Sequence, residues 1–266
     1  MDFRVRAPSP ASVAADGMAS DGIVYDVFRH RLEEDRSTTV YVVRYPGLST
    51  RVRVQYFPRL TRLDRWCRRA GVAEAIVGGF FLRPHGPALG EVWVGGARVE
   101  TRPFPAPFDR LRAAISIENG SPTIGPRSEL HPRPTGDLLQ AGPLLVANGR
   151  RVVDGNDREG FSAAANQLDS DITAGRYPRT ALGLSDEHVL AAACDGRGSN
   201  GDSGLRLDEL AELMLELNAH SSINLDGGGS STLIHGGHRR NRPYENDGAP
   251  VRGARHVATA LVFEGR

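Results

Sequence analysis

The 266-residue chain contains no lysine; all 33 of its basic residues are arginine. That absence excludes a lysine Schiff base, a lysine general base and the lysine of a phosphate-binding P-loop. It leaves planar, multi-donor cations suited to carboxylates and phosphates. GC-rich coding is the simplest origin of the bias. Cysteine is scarce as well. Cys67 and Cys194 stand far apart, too few for a disulfide framework or a thiolate metal site. Cys194 ends the run "VLAAAC" and reads as a small buried hydrophobe. No stretch approaches the roughly 18 apolar residues of a membrane span. The first 22 residues lack the apolar centre of a signal peptide, so a cytoplasmic location is the expectation. An excess of one charge is missing too. With 33 basic against 32 acidic residues, neither a nucleic acid nor an anionic membrane is indicated as a partner.

What remains is an ordinary soluble mixture, 39% apolar and 24% charged, long enough to bury a sizeable core. Residues 1–22, rich in Ala, Ser, Pro and Gly, read as a flexible lead-in. Residues 23–266 read as one domain, with no repeat and no dividing linker. The alternating runs at 38–45 and 51–57 predict a hairpin. Residues 61–71 carry Leu63, Trp66 and Cys67 at helical spacing, stopped by Gly71. Short strands are expected over 73–82, in a hairpin over 91–100, in the run "AAISIENG", and as a pair over 138–153. Two more fall in 179–197, and others at "SINLD", "STLIHGG" and 256–263. The clearest helix is 205–219, with Leu207, Leu210, Leu213 or Met214, and Leu217 on one face. The expected class is α+β: a single domain of mixed β-sheet with a few packed helices.

The stretch "NLDGGGSST" concentrates the chemistry. Asp226 ends a predicted strand; Gly227, Gly228 and Gly229 follow, then the hydroxyls of Ser230, Ser231 and Thr232. Glycines without Cβ can turn successive N–H groups into one concavity that holds an anion. A tight strand-to-strand turn with solvated hydroxyls is the plainer alternative.

"INLDGGGSSTL" resembles the signature of the phosphodiester glycosidase family, whose members remove a sugar from a phosphodiester. "AIVGGFF" at 75–81, "QAGPLLVANGR" at 140–150, "RTALGLS" at 179–185, "CDGR" at 194–197, "NRP" at 241–243 and the closing "VATALVF" follow in that family's order. The likeness covers roughly residues 73 to 263. One departure is Val77, where the family often has Asn. The resemblance implies a hydrolase acting on a small phosphosugar or glycan. It implies catalytic roles for Asp226, Asp195 and Arg179. It implies substrate contacts from Gly78, Gly79, Phe80, Arg197, Gly227, Gly228, Gly229, Ser230, Ser231, Thr232 and Arg242.

The chemistry agrees with that residue set. Phosphate leaves readily, its second pKa being about 6, so the reaction needs little general-acid help. It needs donors for the departing charge and carboxylates for a developing oxocarbenium ion. Two alternatives stay open: a non-catalytic phosphosugar-binding module, and a phosphodiesterase that cuts P–O. No cofactor is expected. The acidic run "DSDIT" at 169–173 offers oxygens to a divalent cation but reads more simply as a solvated turn. "HGGH" at 235–238 lacks a third ligand. "HRRNR" at 238–242 reads as an exposed turn or a phosphate clamp. The sequence specifies no oligomeric state.

Overall fold

The computed structural model describes residues 22–82, 86–153, 158–161, 175–197, 201–244, 249–251 and 253–266. The lead-in expected at 1–22 lies outside these apart from Gly22, and "DSDIT" lies outside them entirely. Seven strands make the largest sheet: β1 (Val24–Arg31), β2 (Ser37–Pro46), β10 (Leu144–Ala147), β11 (Arg150–Arg151), β12 (Arg179–Leu184), β13 (His188–Cys194) and β14 (Ser221–Asn224). Their order is β1-β2-β13-β12-β14-β10-β11. A second sheet, β16-β15-β4-β17-β3, holds β3 (Thr50–Arg62), β4 (Ala75–Val77), β15 (Leu233–His235), β16 (His238–Arg239) and β17 (His256–Gly265). The third, β6-β5-β9-β7-β8, holds β5 (Val92–Val94), β6 (Ala97–Arg98), β7 (Ala113–Glu118), β8 (Ser121–Pro126) and β9 (Asp137–Gln140). The α-helices are α1 (Leu63–Ala70), α2 (Phe108–Leu111) and α3 (Leu207–Glu216).

The class is therefore more β-rich than α+β, and the pairings between named strands are antiparallel rather than mixed. Three strands were not expected from the sequence, all at sheet edges: β1, β8 and the two-residue β16, whose stretch 238–242 reads as an exposed turn or clamp. β1, "VYDVFRHR", interleaves charges with exposed apolar residues, as suits an edge facing water. β8, "SPTIGP", hides behind two prolines and a glycine that an edge position tolerates. The hairpin expected from 38–45 and 51–57 does not form, because β2 pairs with β1 and β13 while β3 pairs with β17 in the second sheet, and the pair expected over 138–153 also resolves differently. β9 joins the third sheet, while β10 crosses to the seven-stranded sheet and pairs there with β11 and β14.

The central strands of the large sheet are buried on both faces. Tyr41, Val43 and Tyr45 of β2, with Ala191 and Ala193 of β13, enter the main core alongside Ile76, Leu139 and Leu261. The alternate residues Val40, Val42, Leu190, Ala192 and Cys194 meet α3 through Leu207, Leu210, Leu213 and Met214. Period 2 in the strands and period 3.6 in the helix thus supply both layers from one sheet. No described helix is long and apolar enough to cross a membrane.

Leu210 is 2% exposed in this second layer. Leu210→Ala is expected to lower stability by about 2–4 kcal/mol in urea unfolding. A loss below about 1 kcal/mol contradicts this placement of α3.

Candidate active site

With both faces of the large sheet occupied, polar chemistry is left to the strand ends. Arg179, the first residue of β12, lies opposite Cys194, the last of β13. Ala181 lies opposite Asn224, the last residue of β14. Cys194 also lies opposite Val40 near the start of β2. One rim of the sheet therefore gathers the segments 38–41, 177–180, 194–197 and 224–228. The second sheet meets the same rim, because the Asp226 N–H donates to the Gly78 carbonyl at 2.9 Å.

Asp226 is fixed at three points. Besides the bond to Gly78, its carbonyl accepts the Thr180 hydroxyl at 2.7 Å. Its Oδ1 accepts the Gly227 N–H at 2.9 Å. The residue is partly exposed, so its carboxylate stands at the rim rather than in the core. Gly78 and Gly79 are held from β17: Gly78 N–H donates to the Thr259 carbonyl at 3.0 Å and Gly79 N–H to Thr259 Oγ1 at 2.9 Å.

The glycine run is not the open anion cradle that its sequence suggests. Gly228 N–H donates to Pro178 O at 2.8 Å, Ser230 N–H to Gly227 O and Ser231 N–H to Gly228 O, both at 3.1 Å. Those donors are spent inside the chain. Ser230, Ser231 and Thr232 are at most 1% exposed, and the Thr232 hydroxyl donates to Ser230 O at 3.0 Å. Gly229 is buried in the same 3-10 turn. The glycines serve close packing instead. A Cβ on Gly227 would stand 2.8 Å from Pro178 O, and Gly228 has φ +58°. Phe80 likewise proves a core residue, 5% exposed, with its ring 5.6 Å from that of Phe161.

Asp195 is buried at the rim, 1% exposed. Its Oδ2 accepts the Tyr41 hydroxyl at 2.8 Å and its Oδ1 accepts the Arg242 N–H at 2.6 Å. Its carbonyl accepts the Thr38 hydroxyl at 2.6 Å. Burial pushes its carboxyl up from 3.8 to about 6, against the lowering effect of the Arg242 N–H and the Tyr41 hydroxyl. Asp202 adds to the rise and the Arg242 charge opposes it. Burial and the Asp195 charge in turn push the Tyr41 hydroxyl well up.

The arginines divide by exposure. Arg179 is 3% exposed, with Nε donating to Leu205 O at 3.0 Å. Arg197 is partly exposed; its guanidinium carbon lies 4.1 Å from the centre of the Tyr177 ring, against 5.0 Å for Arg179. Arg242 is exposed next to Asp195. The structure thus unites Gly78, Gly79, Arg179, Asp195, Arg197, Asp226, the glycine run and Arg242. Tyr41, Tyr177 and Thr180 belong to the same rim and were not expected. Tyr41 was visible only as one alternating residue of a strand; its meeting with Asp195 is a matter of register between β2 and β13. The "HGGH" stretch forms the β15–β16 turn, where His235 Nδ1 lies 2.9 Å from Glu74 Oε2. No group of three His, Cys, Asp or Glu that could hold a metal occurs among the described residues.

A carboxyl raised to about 6 in the fold and near 3.8 when unfolded binds its proton more tightly in the native state. Its contribution to stability is full below about pH 4 and is lost as pH rises through 6. Asp195→Asn, measured against wild type in urea from pH 4 to 7, should therefore gain stability with rising pH and level off above 6. The expected span is on the order of 2–3 kcal/mol. A difference that does not change with pH contradicts the buried-charge description.

Residues 70–264 match the family model described as phosphodiester glycosidase. The chain is 28% identical over 189 residues to the bovine N-acetylglucosamine-1-phosphodiester alpha-N-acetylglucosaminidase. That match covers 67% of this chain and 34% of the bovine protein, so the chain spans about a third of that relative's length. The fold is shared with the catalytic domain of the zebrafish N-acetylglucosamine-1-phosphodiester alpha-N-acetylglucosaminidase, auto-inhibited by its pro-peptide. Its TM-score is 0.69 at 19% identity, covering 96% of this chain and 87% of that one. A hypothetical protein from Synechocystis gives 0.65 at 18%, covering 93% and 63%. With the family model spanning β12, β13 and β14, the chain belongs to the phosphodiester glycosidase family.

Proposed function

We propose that this chain hydrolyses the bond between a sugar C1 and a phosphate oxygen, with an N-acetylhexosamine as the sugar. The observation that carries this reading is the placement of the partly exposed Asp226 carboxylate on the same rim as Arg197 and Arg242. The name of the bovine relative supports the choice of substrate class.

In the proposed reaction the C1–O bond breaks and its electron pair stays with the phosphate oxygen. Water supplies the new C1–O bond, and the products are a free sugar and a phosphomonoester. The leaving group needs charge stabilisation more than a proton, because the phosphomonoester is a weak base near neutrality. Arg197 and Arg242 supply that stabilisation as charge-assisted donors. Arg179, tied to the Leu205 carbonyl, adds positive potential from behind them. Asp226 faces C1, as a nucleophile or as the base that takes the water's proton. Asp195 is the second carboxylate. Its pKa of about 6 suits proton exchange near neutrality, and its grip on the Arg242 N–H couples its charge to that arginine's position. Gly78 holds the Asp226 main chain from the second sheet, and Gly79 is tied beside it to Thr259.

Asp226→Asn is expected to lower kcat by about 10²–10⁴-fold with an unchanged melting temperature. Retention of activity within a few-fold removes Asp226 from the reaction. Hydrolysis of an N-acetylglucosamine-1-phosphodiester in heavy-oxygen water should place the label on the sugar. Label on the phosphate would instead establish P–O cleavage, and tight phosphosugar binding without release of sugar would establish a binding module.

A further inference from the structure

β16 breaks off after two residues, and a side chain continues its pairing. His238 and Arg239 lie opposite His235 and Ile234, and the Arg240 N–H donates to the Leu233 carbonyl at 2.9 Å. In an antiparallel ladder continued in that register, the Leu233 N–H would return to the Arg240 carbonyl, and the Ser231 carbonyl would take the Arg242 N–H. Instead the Asn241 amide meets both groups. Its Oδ1 accepts the Leu233 N–H and its Nδ2 donates to the Ser231 carbonyl, each at 2.9 Å. The Arg242 N–H goes to Asp195 Oδ1 at 2.6 Å. Asn241, Ser231 and Leu233 are each at most 1% exposed, so water does not stand ready to replace either bond. Ser231 also ends the 3-10 turn Gly228–Ser230 that follows Asp226.

We infer that Asn241 is a positioning residue: its amide stands in for main chain against Ser231 and Leu233, and so releases the Arg242 N–H to hold the Asp195 carboxylate. The inference rests on the reading of Asp195 as the second carboxylate of the proposed reaction. Without the amide, the Ser231 carbonyl is a buried acceptor lacking its donor, and the register makes the Arg242 N–H its natural replacement. Asp195 then loses the donor that does most to offset its burial. The other groups acting on Asp195 are Tyr25 of β1, Tyr41 of β2, Asp202, and the Arg239 and Arg242 side chains. Asn241 bonds to none of them, so the change is confined to one N–H. The same side chain fixes the turn after Asp226, and thereby sets the two carboxylate loops against each other.

The test follows the Asp195 carboxyl carbon by NMR in the full chain, with Asp195→Asn to assign the signal. The wild-type midpoint is expected at about 6. Asn241→Ala should move it up by about one pH unit, because a hydrogen bond to the charged form is lost. On an N-acetylglucosamine-1-phosphodiester the matching limb of the pH–rate profile should move with it, and kcat should fall by about 10-fold. A merely structural amide would lower the melting temperature and leave the midpoint in place, and that result overturns the inference. If Asn241→Ala does not fold, Asn241→Ser carries the test: one hydroxyl cannot serve both Ser231 and Leu233, so an upward move is again expected and an unchanged midpoint is contrary. The wild type gives a further check. Its Leu233 and Arg242 amides should exchange with solvent at least about 100-fold more slowly than in an unstructured chain, and fast exchange at Arg242 overturns the inference. A midpoint that moves in a protein whose wild type releases no sugar supports the inference and defeats the catalytic reading.

Discussion

The constraint on which the rest depends is the double burial of the large sheet. Val40 and Val42 turn one way into the layer under α3, and Tyr41 and Val43 turn the other way into the main core. A sheet buried on both faces leaves its strand ends as the places where charge can meet water. Antiparallel pairing then decides which ends meet. The start of β12, the end of β13 and the end of β14 share one rim because each neighbour reverses direction. The Asp226–Gly78 hydrogen bond locks the second sheet to that rim.

At the rim, burial sorts groups that sequence alone treats as equivalent. Asp195 and Asp226 both follow strands and both precede glycine. Asp195 is nearly enclosed, with one oxygen held by Tyr41 and the other by the Arg242 main chain. Asp226 keeps part of its surface. The first is poised by desolvation, the second by access. The arginines sort in the same way: Arg179 is buried and donates to the Leu205 and Gly175 carbonyls, while Arg197 and Arg242 lie further out. An Arg-only chain can make such a site because the guanidinium stays charged even when half-buried.

Much of this was legible in the sequence. The helix over 207–216 was announced by its leucine spacing, and the strands at 37–46, 179–194 and 256–265 by their apolar runs. The site segments were legible through ordered short stretches such as "DGGGSS" and "CDGR". Three things were not. Edge strands β1 and β8 carry charges and prolines because an edge permits them, and those residues conceal a strand. The use of the Gly228 N–H inside the protein depends on Pro178 arriving from a distant segment. Tyr41 and Tyr177 carry no local sign of function. The first meets Asp195 through inter-strand register, and the second meets Arg197 across the bridge to Leu205. Local pattern fixes elements, while the partners of a buried charge are set by tertiary register.

The central claim is that one sheet rim binds a sugar phosphate, with phosphate on the arginine side and C1 towards Asp226. A crystal structure of the full chain with N-acetylglucosamine 1-phosphate bound tests it most directly. The account predicts phosphate oxygens within hydrogen-bonding distance of Arg197 or Arg242, roughly 2.7–2.9 Å, and C1 facing the Asp226 carboxylate. Phosphate held away from both arginines, or a sugar whose C1 points away from Asp226, would contradict it.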